Sequence, residues 1–308
     1  MLPHVHERAE AVPPPSVLIS SRMNPTKIGA PDFDLVKTLD SGQVFHWQAL
    51  GSGFAGMIDQ RPVYAEQRDD ELFVSRGAAR LVRHYFALDH PLREICAAFP
   101  PDPAMSAARD YCGGLRIIRQ PIWECLATFI TSSMKQVAHI RQMSCALRQR
   151  FGTRGMIYGT HVYAFPSASR LARATEAQLR ECALGYRAKN LLGTARDVSS
   201  GAADLELWRN LADDELRARL CELPGVGAKV ANCVMLFAYE RLRAFPIDVW
   251  IERVLQEKYF RRRKVTAARL RVFCDSYFGE HGGYAQQYLF HHARKTTARV
   301  RFTRDAKL

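Results

Sequence analysis

Two residues of this sequence pair an amine with a carboxylate in a way that chemistry can use. Lys229 lies in Leu220-Cys221-Glu222-Leu223-Pro224-Gly225-Val226-Gly227-Ala228-Lys229-Val230-Ala231, and Asp248 stands 19 residues further on, in Phe245-Pro246-Ile247-Asp248-Val249-Trp250-Ile251. An amine attacks carbon only when neutral, whereas an ordinary lysine is almost wholly protonated at neutral pH. Lys229 falls in the first turn of a predicted helix, where the positive end of the helix dipole disfavours an ammonium. Asp248 follows a proline and precedes another helical run, the position of an N-cap. A carboxylate held ionised by backbone N–H groups can cap the helix and also stabilise an oxocarbenium-like carbon or steer protons at an attacked one. Alone, Lys229 is one of 44 basic residues and Asp248 a plain cap; together they form a candidate nucleophile and its partner.

The elements that must hold this pair are legible around it. A helix carrying Leu216 and Leu220 runs into Pro-Gly-x-Gly, and a second helix with Val230, Val234 and Phe237 leaves at once, which is a helix-hairpin-helix. Gly225 and Gly227 remove two β-carbons, so another backbone can come close, and the free N–H groups that open the second helix suit a phosphate. The pattern reads as a sequence-independent DNA clamp, against a plain helical turn as the bland alternative.

Along the chain, residues 1–28 are polar and proline-bearing and are expected to form a flexible tail. An N-terminal α+β region over 29–105 follows. Its runs Val44 to Leu50, Phe54 to Ile58, Pro62 to Glu66 and Glu71 to Ser75 predict a small antiparallel sheet, and Ala78 to Phe99 reads as one helix. From 106 to 308 the pattern is almost wholly helical, with one weak strand candidate at Met156 to Ala164. The predicted class is therefore α+β, an antiparallel sheet lobe followed by two mainly α-helical lobes, one over 133–228 ending in the hairpin and one joining 106–132 to 229–308.

The net charge of +13 attracts polyanions, with nucleic acid first among them. The eight cysteines form no CxxC pair, which argues for reduced thiols in an intracellular protein and against a disulfide framework or zinc site. No apolar run reaches the ~18 to 20 residues of a membrane span, and the first residues lack a secretory pattern.

Five ordered segments across Phe33 to Arg294 carry a resemblance. They are Ser41-Gly42-Gln43-Val44-Phe45-His46-Trp47, Phe129-Ile130-Thr131-Ser132-Ser133, Gly185-Tyr186-Arg187-Ala188-Lys189, the hairpin with Lys229, and Gly283-Tyr284-Ala285-Gln286 with Leu289-Phe290. The chain resembles the helix-hairpin-helix DNA glycosylases and, within them, the 8-oxoguanine DNA glycosylases, whose sheet lobe is TBP-like. The resemblance implies a bifunctional base-excision repair enzyme, a hydrolase and lyase that flips 8-oxoguanine out of duplex DNA, removes it and nicks the abasic site. It implies Lys229 as Schiff-base nucleophile and Asp248 as its partner. The Gly42 carbonyl would accept the N7 proton that marks the oxidised purine, Gln286 would bond the base's Watson-Crick edge, and Phe290 and Cys233 would sandwich its faces.

On the DNA side the resemblance implies Tyr186 as a wedge in the stack, Arg187 as a reader of the estranged cytosine, and contacts from Gly225, Gly227 and Trp250. The carbonyls of Cys221, Leu223 and Val226 would hold a structural cation bridging hairpin and phosphate. Catalysis would need no cofactor and no iron-sulfur cluster, and the expected state is a monomer acting on double-stranded DNA inside the cell. The chain departs from the animal and fungal members at three places. Met134-Lys135-Gln136 replaces an asparagine triplet, His139 stands near an expected arginine, and Trp250 replaces a phosphate-contacting histidine. Two further readings stand beside this one: an alkylated-base glycosylase that uses water, and a non-catalytic DNA-binding scaffold.

Overall fold

The computed structural model describes residues 24–263 and 265–305, with side chains to Thr296. Most of the stretch expected as a tail lies outside the described residues, but its end does not. Strand β1 (Thr26–Gly29) pairs antiparallel with β5 (Glu71–Val74), Ile28 opposite Leu72. A four-residue run is too short to show an alternation of its own, and its partner supplies the register. With β2 (Gln48–Leu50), β3 (Gly53–Ile58) and β4 (Arg61–Arg68) the sheet has the order β1-β5-β4-β3-β2.

Two helices close the inner face of this sheet. Helix α1 (Leu35–Asp40) is capped by Asp34, whose carboxylate accepts from Lys37 N at 2.8 Å. It was not expected from sequence, being less than two turns long. The run predicted as one helix from Ala78 to Phe99 is two, α2 (Ala79–Tyr85) and α3 (Leu92–Ala97). Ala87 takes φ +49° and Pro91 stands before α3, so the chain turns between them. Ile28, Leu35, Val44, Trp47, Val63, Leu72, Val82 and Phe86 fill the space between sheet and helices.

The rest is helical: α4 (Pro103–Cys112), α5 (Ile122–Ser132), α6 (Val137–Phe151), α7 (Ala168–Ala172), α8 (Glu176–Arg180), α9 (Arg187–Ser200), α10 (Asp213–Glu222), α11 (Ala228–Phe237), α12 (Val249–Lys258), α13 (Ala267–Tyr277) and α14 (Gly282–Asp305). Helix α5 is apolar almost all round and buried along its length, as a central helix must be. The weak strand candidate is a hairpin, β6 (Arg154–Ile157) with β7 (Thr160–Tyr163). It lies against the sheet's outer face, where Ala55 and Met57 meet Val162 and Ala164.

A buried ionic cluster ties the β6–β7 hairpin to helices α5 and α6. Glu124 of α5 accepts from Arg148 Nη2 of α6, Arg148 Nη1 donates to Tyr163 O at 3.1 Å, and His46 Nδ1 stands 3.6 Å from Glu124. Burial raises the Glu124 carboxyl while Arg148 opposes that shift, and burial keeps His46 neutral by lowering its pKa well below the usual range.

Candidate active site

Helix α1 ends in Ser41-Gly42-Gln43, and Gly42 takes φ +88°, a left-handed conformation that favours glycine. A β-carbon there would meet Phe290 Cε1 at 3.2 Å. Gln286 and Phe290 are one turn apart on α14, and Lys229 and Cys233 one turn apart on α11, so each pair shares a face. Asp248 caps α12, accepting from Ile251 N at 2.8 Å. All six line one cavity of about 940 Å³, together with Phe129, Met134, Trp250 and Arg294. That volume falls within the range of small-molecule ligand pockets, about 300–1,000 Å³.

Its walls have distinct electrostatic character. Lys229 Nζ stands 5.1 Å from the centroid of the Phe129 ring, which itself stacks on Phe237 at 5.4 Å. Burial pushes the Asp248 carboxyl above its ordinary value, while the Ile251 N–H and the Lys229 charge pull the other way. The sequence suggested a carboxylate held ionised by the helix start; burial is the larger effect and opposes it. Burial also pushes the Cys233 thiol up to about 11, so this wall is a neutral sulfur. Gln286 is buried, and its Oε1 has no hydrogen-bond partner among the described residues. An unpaired buried amide oxygen carries a desolvation cost of about 1–3 kcal/mol, which an occupant able to donate would relieve.

The hairpin joins α10 to α11 at the cavity rim. Gly225 takes φ +80°, and a β-carbon there would lie 2.7 Å from Asn190 Cβ. Gly227 is the N-cap of α11 in extended conformation with no side-chain cap, which leaves the first-turn N–H groups without an intramolecular acceptor from that side chain. A β-carbon at Gly227 would meet nothing within 4 Å. The first glycine thus answers to the protein's own packing, and the second opens toward solvent.

Asn190, Gly193 and Thr194 share a face of α9 beneath this turn, and Thr194 Oγ1 donates to Pro224 O at 3.0 Å. Sequence reasoning missed these supports, since an isolated asparagine or threonine on a helix carries no signal. Leu223 O already accepts from Val226 N at 3.1 Å, one of the three carbonyls expected around a cation, and Cys221 is exposed. Among the described residues no group of three or more His, Cys, Asp or Glu side chains gathers as metal ligands would.

Tyr186 and Met134 are exposed at 57% and 92%. Arg187 is not. It is buried, donating through Nε at 2.9 Å and Nη2 at 2.5 Å to Ser133 O, with its guanidinium 4.4 Å from the Tyr186 ring centroid. It therefore ties the start of α9 to the end of α5, and in this state it does not face a base. Trp250 lines the rim with Arg253 stacked 5.5 Å from its ring centroid. His139 is exposed in the first turn of α6.

A family profile described as the 8-oxoguanine DNA glycosylase N-terminal domain matches residues 26–126, and one for HhH-GPD superfamily base excision DNA repair proteins matches residues 127–275. The N-glycosylase/DNA lyase of Saccharomyces cerevisiae is 30% identical over 273 residues, covering 78% of this chain and 72% of the yeast protein. The chain belongs to the 8-oxoguanine DNA glycosylase family. Another relative, the N-glycosylase/DNA lyase OGG1 of Arabidopsis thaliana, is 29% identical over 86% of this chain and 79% of its own length. Among solved structures of family members, the Clostridium acetobutylicum 8-oxoguanine glycosylase/lyase in complex with DNA containing cytosine opposite 8-oxoG superposes with a TM-score of 0.83. That match has 29% identity and covers 88% of this chain and 98% of the clostridial one.

Proposed function

We propose that this glycosylase removes 8-oxoguanine from duplex DNA through a covalent intermediate on Lys229 and then nicks the abasic strand. The observation that carries the reading is one cavity lined at once by an amine, a half-buried carboxylate, the Gly42 turn, an unpartnered amide oxygen, an aromatic ring and a neutral thiol. A water-using glycosylase for alkylated bases would have no use for Lys229 in that wall, and a DNA-binding scaffold would have no use for the cavity.

In this reading the hairpin and the net positive charge hold a kinked duplex, and the damaged nucleotide swings into the cavity at a cost of a few kcal/mol that contacts to the right base recover. The oxidised purine sits between Phe290 and Cys233, its N7–H donating to Gly42 O and its Watson-Crick edge meeting Gln286. The Lys229 amine attacks C1′; the Nζ–C1′ bond forms as the C1′–N9 bond breaks, and a proton released from Nζ leaves with the base at N9. Asp248 stabilises positive charge developing on the sugar. The ring opens to an imine, a C2′ proton is lost, and β-elimination breaks the C3′–O bond.

Tyr186 and the cavity-lining Met134 are both exposed, which supports a wedge entering the stack. Arg187 would have to leave Ser133 O to read an opposite base. A cation at the hairpin would be held by oxygen donors, the carbonyls of Cys221, Leu223 and Val226, and would bridge turn to phosphate. The test is cleavage of duplexes pairing 8-oxoguanine with each of the four bases, with undamaged guanine as control. Cleavage confined to the lesion strand supports the reading, and intact 8-oxoguanine duplex at stoichiometric enzyme refutes it.

A further inference from the structure

The turn that carries Gly42 is held in an unusual way. Its neighbouring carbonyls are each taken by a side chain from elsewhere in the fold: Asp40 O accepts from Arg294 Nη2, Ser41 O from Gln287 Nε2 at 2.9 Å, and Gln43 O from Gln120 Nε2 at 3.0 Å. The Gln43 side chain adds a second layer, donating to Arg116 O at 2.8 Å and accepting from Ile118 N at 2.8 Å. Gln43, Gln120 and Gln287 are all buried. Gly42 O accepts no hydrogen bond among the described residues, although Gly42 lines the cavity.

We propose that Gln287, Gln120 and Arg294 are positioning residues that clamp the carbonyls on either side of Gly42, leaving its own carbonyl as the fixed, unpaired acceptor that tells oxidised guanine from guanine. The inference rests on the reading of Gly42 given above. Guanine and 8-oxoguanine differ at this point in polarity alone: one presents a lone pair at N7, the other an N–H. A carbonyl discriminates between them only if it cannot rotate away from the mismatch, because a mobile acceptor would turn to water or to another donor. Discrimination by a single acceptor needs preorganisation. Gln287 and Arg294 stand seven residues apart on α14, two turns along one face, while Gln286 and Phe290 present the base contacts from the same helix. One helix therefore sets both the pocket's far wall and the orientation of its near one.

The bland account, buried glutamines that merely satisfy a loop, makes a different prediction. Gln287→Met and Gln120→Met keep side-chain length and remove the donor. Each is compared with wild type on a duplex holding 8-oxoguanine and on one holding a preformed abasic site, where Lys229 acts without any base to recognise. Each variant is expected to lose at least about tenfold more in single-turnover excision than in abasic-site nicking, the effect of misaligning one discriminating hydrogen bond. Its preference for binding 8-oxoguanine over guanine duplex should narrow as well. Parallel losses on both substrates, no loss on either, or collapse of the fold in both variants overturns the proposal. Failure of the wild-type enzyme to excise 8-oxoguanine would instead sink the reading of the site on which it rests.

Discussion

Asp248→Asn separates the two roles this residue fills. Asparagine caps a helix about as well as aspartate, so the bond now accepted from Ile251 N at 2.8 Å survives. What is lost is a charge. At the N-terminus of α12 that charge is worth about 0.3–1 kcal/mol through the helix dipole. Burial acts in the opposite sense, because it raises the Asp248 carboxyl in the folded state above its ordinary value of 3.8. A group so raised contributes stability that is fully present below its unfolded value and lost as pH climbs through the folded value. At neutral pH the ionised Asp248 is thus a cost to folding that asparagine removes. The two effects oppose, and the net change should stay within about 1 kcal/mol, a few degrees in Tm. Turnover should respond very differently. Removing a preorganised charge from a developing cation costs about 2.7–4 kcal/mol, or 10² to 10³ in rate. Asp248→Ala should lose the rate and also about 1 kcal/mol from the missing cap. Single-turnover excision and thermal melts of the three proteins check this. An Asp248→Asn enzyme within threefold of wild-type rate, or one as destabilised as Asp248→Ala, would refute the division.

Two further substitutions test the glycines. Gly42→Ala forces an L-residue to φ +88° with its β-carbon 3.2 Å from Phe290; strain of about 1–2 kcal/mol should appear in a denaturant titration, with a larger loss in excision of 8-oxoguanine than in nicking at an abasic site. Gly225→Ala drives a β-carbon to 2.7 Å from Asn190 Cβ, so it should weaken binding to lesion and undamaged duplex alike, with a shallower salt dependence of binding as the phosphate contact is lost.

Much of this was readable in the sequence where a strong local signal existed. Helix α5 falls in the stretch that reads as almost wholly helical, and the hairpin was marked by two glycines and a proline between apolar helices. The break between α2 and α3 was not legible, because Ala87 adopts its left-handed turn for reasons of packing rather than type. Strand β1 took its register from β5, with Thr26 opposite Val74, 48 positions away. The candidate site followed the same rule. Lys229, Asp248, Gly42, Gln286 and Phe290 could be named from motifs, yet the residues that hold them could not. Gln287 reaches Ser41 across 246 positions of sequence, and Arg187 was expected to face DNA but turns inward to Ser133 O. Burial likewise shifts the Asp248 carboxyl upward, against the downward pull of its cap.

The central claim is that Lys229 forms a covalent bond to the sugar, and borohydride trapping tests it most directly. Wild-type enzyme incubated with 8-oxoguanine duplex and sodium borohydride should give a protein–DNA adduct that survives denaturation, and Lys229→Gln, assayed at a concentration where its binding to the duplex is measured directly, should give none. An adduct of equal yield from the Lys229→Gln protein would contradict the account.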